Sequence, residues 1–307
     1  AIELNAIGDG LPALGSSTAD IGNTATTGIT LKGAFYDTGA ATYSTDGGAI
    51  TINRGSNGTT EFGPTDNIVK FVGGAVTLAN GTDLKISSGT GAITIPSIAG
   101  NSSETVELAS TGGVTVGAIG SGNQISDVTI TGPASLSGDI TTSNSDGDVS
   151  ITGAVTLTQN VKIDTSADDG DISLGSTVNG AKTLTLTSAA GAITVTGDIG
   201  STAPLTALTI NAQNSETSSG KITLSGKIAK ADDSAGVVTG LMKIGNAATT
   251  EIDFGGALYT TDTAATYTVK SVTVNNGGNF NIANASTFSS TSDQIEFATG
   301  TIDLANG

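Results

Sequence analysis

Gly170-Asp171-Ile172-Ser173-Leu174 returns, at an offset of 21, as Gly191-Ala192-Ile193-Thr194-Val195. The shared core is apolar–Thr/Ser–apolar, entered from a small turn. Earlier it reads Gly28-Ile29-Thr30-Leu31, Ala49-Ile50-Thr51-Ile52, Ala75-Val76-Thr77-Leu78, Ala92-Ile93-Thr94-Ile95, Gly113-Val114-Thr115-Val116 and Asp148-Val149-Ser150-Ile151; later it reads Lys221-Ile222-Thr223-Leu224. The offset is 21 from Ile29 to Ile50, 21 from Ile93 to Val114 and 23 from Val149 to Ile172. A period of about 20–30 residues with no helical segment between repeats is the signature of a solenoid.

Each phrase is too short to bury its apolar residues alone. Stacking one coil on the next gives every strand two neighbours and covers the inward Ile, Val and Leu. The central Thr then points outward, because side chains alternate faces in a strand, and β-branched residues suit that surface. The expected fold is all-β, a single-stranded parallel β-helix. Longer matches agree. Gly117-Ala118-Ile119-Gly120-Ser121, running on to Val128-Thr129-Ile130, aligns at an offset of 80 with Gly197-Asp198-Ile199-Gly200-Ser201, running on to Leu208-Thr209-Ile210. Each coil is expected to hold two or three short strands.

A length of 307 ordinarily suggests two domains. A solenoid grows along one axis, so one continuous β-solenoid over 1–307 is expected. About 22 residues per coil gives about 13 to 14 coils and a rod of roughly 60 to 70 Å. Segment 1–28 reads as a loop-rich first coil, 29–227 as regular coils and 228–307 as less regular coils with longer loops, since the offset from Ile222 to Ile252 is 30. The 44 Gly belong at the turns between strands.

Eleven Lys and Arg against 28 Asp and Glu give a net charge of −17, spread along the chain. Phosphate contacts need clustered Lys or Arg, so nucleic acid and anionic membrane surfaces are excluded as partners. No apolar run approaches the roughly 18 residues of a membrane helix, so no membrane insertion is expected. There is no Cys, which fits an exported protein built without disulfides. The chain begins at Ala1 instead of Met and reads as a processed product or an excerpt. Its last apolar phrase, Ile302-Asp303-Leu304, resembles another strand core with no polar cap after it.

The chain has no His, no Cys and one Arg, Arg54. His-based proton transfer, Cys nucleophiles and His or Cys metal sites are excluded. A carboxylate pair acting on a polysaccharide, or an Asp-bound calcium with a Lys or Arg base, is the remaining catalytic option, with Asp168-Asp169-Asp171 or Asp232-Asp233 as candidates. Asp168-Asp169-Gly170-Asp171 occupies the place that Ala189-Ala190-Gly191-Ala192 holds one coil later, so it reads first as a turn. No cofactor is expected. Calcium is the one cation these residues would suit, because Asp164, Asp168, Asp169 and Asp171 fall close together and hard cations want several oxygens. The middle-of-strand Thr residues would form a ladder, but Thr-x-Thr is not repeated on every coil, and β-propensity accounts for them. Tyr259 and Tyr267, in the irregular C-terminal part, are candidate ligand contacts on loops, as are Phe35-Tyr36 and Tyr43.

Gly153-Ala154-Val155-Thr156-Leu157, Asn160-Val161-Lys162-Ile163-Asp164-Thr165 and Val178-Asn179-Gly180-Ala181-Lys182-Thr183-Leu184-Thr185-Leu186 resemble the β-strand repeats of very large bacterial surface proteins. They are similar to filamentous-haemagglutinin-type and autotransporter-type adhesins, most clearly over about 114–228. The resemblance implies export to the cell surface or extracellular space, a right-handed β-helix, and roles in adhesion, biofilm matrix or fibres.

The function expected is non-enzymatic and structural: a rod, stalk or fibre subunit. Its first partner is itself, since the ends of a β-helix present unpaired strand edges. The candidate assembly residues are Ile2, Leu4, Ile302 and Leu304. The alternative is an adhesin module that binds a cell-surface glycan or protein through loops at 30–49 and 228–270. A polysaccharide lyase or hydrolase and a surface-layer subunit stand behind these.

Overall fold

The computed structural model describes residues 1–5, 18–55, 58–64, 66–143, 147–212, 218–269, 279–282, 286–291 and 293–304. Among these the chain is all-β and without a helix, and its parallel strands stack into a β-solenoid of about 12 turns. The turns are fewer than expected because several coils are longer than the period of the phrase. Ile193 pairs Ile222 and Ile222 pairs Ile252, so those coils advance by 29 and 30 positions. The solenoid is compatible with β-helix surface proteins. The chain groups into two compact units, Ala1–Asn144 and Ser145–Gly307.

In the first unit three ladders run side by side. One stacks Ile2–Leu4, Ile29–Leu31, Ile50–Ile52 and Val76–Leu78, with Ile29 opposite Ile50 and Ile50 opposite Val76. A second stacks Ala19–Gly22, Ala41–Ser44, Val69–Val72, Ile93–Ala99, Val114–Ile119 and Ala134–Leu136. The third stacks Phe35–Tyr36, Gly58–Phe62, Thr82–Ser87, Val106–Ala109 and Val128–Thr131. Of the expected first coil, strands Ile2–Leu4 and Ala19–Gly22 are seen; positions 6–17 lie outside the described residues.

The second unit repeats the plan. One ladder stacks Val149–Ile151, Ile172–Leu174, Ile193–Val195, Ile222–Leu224, Glu251–Phe254, Asn279–Ile282 and Thr301–Leu304. Another stacks Val161–Asp164, Thr183–Thr187, Ala207–Ile210, Met242–Ile244, Ala265–Thr268 and Ile295–Ala298. The third face holds Val155–Leu157 and Val178–Asn179, then single bridges at Ile199 and Ile228, then Leu258–Thr261 and Thr287–Ser290.

The phrase works as its chemistry dictates. In Ile50-Thr51-Ile52 and Ile172-Ser173-Leu174 the apolar residues are buried and the hydroxyl residue is half-exposed. Burying a Val, Leu or Ile side chain stabilises by about 1.5–3 kcal/mol, so a coil that contributes several has a driving force that one strand lacks. Turns are held by buried hydroxyls. Thr45 Oγ1 donates to the Gly48 carbonyl at 2.5 Å, Ser88 Oγ to Gly91 at 2.5 Å and Ser188 Oγ to Gly191 at 2.7 Å. The glycines let consecutive turns touch. A Cβ on Gly191 would meet the Gly170 and Asp169 carbonyls, and one on Gly220 the Gly191 carbonyl.

Candidate functional site

The acidic residues fall mainly at turns, and many of their side chains have a shared occupation. Asp66, Asp83, Asp148, Asp169, Asp171 and Asp198 each accept a backbone N–H from the following coil: Thr90 at 2.9 Å, Thr105 at 2.8 Å, Asp171 at 2.8 Å, Ala190 at 3.0 Å, Ala192 at 2.6 Å and Lys227 at 2.9 Å. Asn160 and Asn179 do the same for Thr183 and Thr202 at 3.0 and 2.8 Å. At a corner the ladder is interrupted, and a short side-chain acceptor satisfies an N–H that the backbone there does not.

This arrangement bears on the calcium reading. Asp169 and Asp171 are turned onto the next coil, and Asp168 accepts the Asp169 N–H at 3.0 Å. Asp164 faces Lys162 at 2.5 Å and accepts from the Ser166 N–H and hydroxyl at 3.0 and 2.6 Å. Burial pushes the Asp164 carboxyl up, but Lys162 and Ser166 outweigh it and hold the group below the ordinary carboxylate value. Among the described residues no three Asp or Glu side chains converge on a point where a cation would sit. The second carboxylate pair is likewise engaged: Asp232 accepts from Ser234 and Asp233 pairs with Lys227 at 2.8 Å.

Among the described residues one carboxylate, Glu104, is fully buried. Glu104 Oε1 accepts the Gly81 N–H at 2.8 Å and the Ser103 hydroxyl at 3.0 Å, and Oε2 accepts from Asn101. Burial raises its pKa, but the N–H groups of Asn101 and Gly81, the Ser103 hydroxyl and its own N–H outweigh burial and hold it below the ordinary carboxylate value. Nothing in the local pattern around Glu104 marks it, because its donors come from two coils. Nearby, Ser102, Ser121, Asn123, Gln124, Asp139 and Thr141 line an open polar hollow of about 320 Å³.

The tyrosines also depart from expectation. Tyr259 and Tyr267 are fully buried, as are Tyr36 and Tyr43, so none is a loop contact for a ligand. Each lies on a strand, where period-two alternation directs it inward. Tyr36 stacks on Phe62 at 5.1 Å and Tyr43 on Phe71 at 5.1 Å; Tyr259 stacks on Phe288 at 5.0 Å and Tyr267 on Phe297 at 5.0 Å. Burial raises the Tyr259 hydroxyl to about 12, with the Gly256 N–H lowering it in part.

The remaining candidates are the strand edges. Ile2–Leu4 and Ala19–Gly22 each pair on one side only among the described residues, as do Ile295–Ala298 and Thr301–Leu304. Ile2 and Leu4 are half-buried. Ile302 is 48% exposed and Leu304 71%, among the few large apolar side chains so exposed. The residues that compose an edge were readable; the hydroxyl and carboxylate networks that hold the coils together were not. The chain matches no family model, no curated protein and no solved structure.

Proposed function

We propose that the chain is a non-enzymatic, extracellular structural protein, a rod, stalk or fibre subunit of the kind its resemblance to bacterial surface adhesins suggests, and that it assembles with itself end to end. The observation that carries this reading is the set of strand edges that pair on one side only among the described residues. Unpaired N–H and C=O rows template pairing with another strand, and Ile302 and Leu304 add apolar surface to one of them. The catalytic inventory supports it: the chain has no His and no Cys, and the acidic turns already have backbone partners. Negative-stain micrographs of the purified chain over a concentration series test it. Uniform fibres that lengthen with concentration are expected; isolated particles at every concentration would remove end-to-end assembly.

A second reading, glycan binding by an adhesin module, rests on the polar hollow beside Ser102, Asn123 and Asp139. A glycan array checks it, with binding expected to fall on Asn123→Ala.

A further inference from the structure

The two units carry copies of one module. Ile21-Gly22-Asn23-Thr24-Ala25-Thr26-Thr27-Gly28-Ile29-Thr30-Leu31-Lys32-Gly33-Ala34-Phe35-Tyr36 aligns without a gap, at an offset of 223, with Ile244-Gly245-Asn246-Ala247-Ala248-Thr249-Thr250-Glu251-Ile252-Asp253-Phe254-Gly255-Gly256-Ala257-Leu258-Tyr259; ten of the sixteen positions are identical. One residue of slippage later, Ala40-Ala41-Thr42-Tyr43 matches Ala264-Ala265-Thr266-Tyr267. The structure repeats with the sequence. Asn23 Oδ1 accepts the Ala25 N–H at 2.8 Å and Asn246 Oδ1 the Ala248 N–H at 2.7 Å. The Tyr36 hydroxyl accepts from Gly33 and donates to Leu4, at 2.8 and 3.0 Å; Tyr259 does so with Gly256 and Leu224, at 2.8 and 3.1 Å.

The second copy shows what the first copy's edge, paired on one side only among the described residues, accepts. Ala19-Asp20-Ile21 is the counterpart of Met242-Lys243-Ile244, and Ile2–Leu4 that of Ile222–Leu224. Met242 and Ile244 are fully buried because Ala207–Ile210 lies against them, with Leu208 opposite Met242 and Ile210 opposite Ile244. Ala19 and Ile21 are only half-buried. Ala207–Ile210 is also the strand that comes immediately before Ile222–Leu224 along the chain. The strand that holds this place at the last described turn is Thr301–Leu304, with the same alternation of apolar and polar residues and its apolar side chains exposed.

We infer that the partner at the Ala19–Gly22 edge is a second copy of this chain, whose Thr301–Leu304 strand pairs parallel to it with Ile302 opposite Ala19, Asp303 opposite Asp20 and Leu304 opposite Ile21. The inference rests on the end-to-end reading above and gives it a register. The same continuation seats Ile2–Leu4 over Thr287–Ser290. It also sets two carboxylates face to face, where the interior copy has Thr209 opposite Lys243. Like charges directly opposite weaken a pair, and among the described residues of their own chains Asp20 and Asp303 face Thr42 and Asn281 on the neighbouring strands. Joining is therefore weakest at low ionic strength and strengthens as salt screens the pair.

The absence of native Cys makes disulfide trapping clean. Asp20→Cys in one batch of chain, mixed with Asp303→Cys in another, is expected to give a cross-linked dimer under mild oxidation, because opposed positions on neighbouring strands lie within disulfide reach. Thr24→Cys mixed with Asp303→Cys, out of register, is expected to give none. Asp20→Lys, which restores the charge of Lys243, is expected to tighten association of the otherwise native chain about fivefold at low salt, and Leu304→Asp to abolish it. Equal trapping by the out-of-register pair, or no gain from Asp20→Lys, overturns the inference. Fibres in the micrographs without a cross-link between positions 20 and 303 would leave end-to-end assembly standing and remove this register; neither fibres nor cross-link would remove both.

Discussion

A buried tyrosine hydroxyl either ties two strands together or costs stability, and this chain holds both cases. Tyr36 and Tyr259 each bridge a glycine N–H three residues back to a carbonyl one coil below. The Tyr43 and Tyr267 hydroxyls are buried with no partner among the described residues. An unmade buried hydrogen bond costs about 1–3 kcal/mol. Tyr43→Phe and Tyr267→Phe are therefore expected to leave the denaturation midpoint unchanged or raise it, whereas Tyr36→Phe and Tyr259→Phe lower stability by about 1–3 kcal/mol; urea unfolding of the four variants separates the classes. Ala41-Thr42-Tyr43 and Ala265-Thr266-Tyr267 are themselves instances of apolar–Thr–apolar, so their inward direction was legible. Context hid it for Tyr267, which sits where the spacing of Ile and Val is loose; Tyr43 lies between Ile29 and Ile50, where the spacing is regular, and there the small turn residues around it suggested a loop. The hydroxyl partners were not legible, because a carbonyl 32 or 35 residues away is chosen by ladder register.

Glu104 gives a pH dependence of known sign. Its carboxyl titrates below its ordinary value in the fold and near that value when unfolded. A depressed folded pKa contributes stability that is present above the unfolded value and is lost as pH falls through the folded one. Stability is expected to drop below about pH 4.3, with Glu104→Gln flattening that acid limb while lowering stability at neutral pH, since an amide cannot accept on both sides. Unfolding curves measured on both proteins from neutral to acid pH check it; parallel curves would show that Glu104 has no part in the acid limb.

At the scale of the element, the turn decides how closely coils stack. Gly170, Gly191 and Gly220 follow one another at one corner, each approaching the carbonyl of the glycine before it, beginning from Gly147. A methyl on Gly191 has nowhere to go but into the Gly170 carbonyl. Gly191→Ala is expected to cost about 1–3 kcal/mol, the range for overpacking a tight interior. Ala190→Gly, one residue away in the same turn, is the control, because Ala190 is exposed. The strand cores and their regular spacing were readable because period-two alternation is a local property. The coil count was overestimated because loop length is set by what each corner must cross, as between Leu224 and Met242, and no local pattern announces it. The module repeat is hard to read for a related reason: its offset of 223 spans many coils, far from the period that organises everything else.

At the scale of the molecule, a stack in which each coil touches only the next behaves as a one-dimensional chain of interfaces. Damage to one coil is then felt most by its immediate neighbours. Leu208 lies fully buried between Leu184 and Met242 in its ladder. Leu208→Ala removes apolar volume from both interfaces and is expected to cost about 2–5 kcal/mol. In a globular core that loss lowers protection everywhere; here hydrogen exchange is expected to quicken in peptides covering Thr183–Thr187 and Met242–Ile244 and to stay unchanged in those covering Ile50–Ile52 and Val76–Leu78. The same measurement reads the ends. Ile2–Leu4, Ala19–Gly22 and Thr301–Leu304 lack a second partner strand among the described residues, so they exchange fastest in dilute solution. If copies join end to end, those three peptides gain protection as concentration rises, while interior coils, already covered on both sides, do not change. Uniform exchange along the chain after Leu208→Ala would contradict the one-dimensional picture whatever happens at the edges.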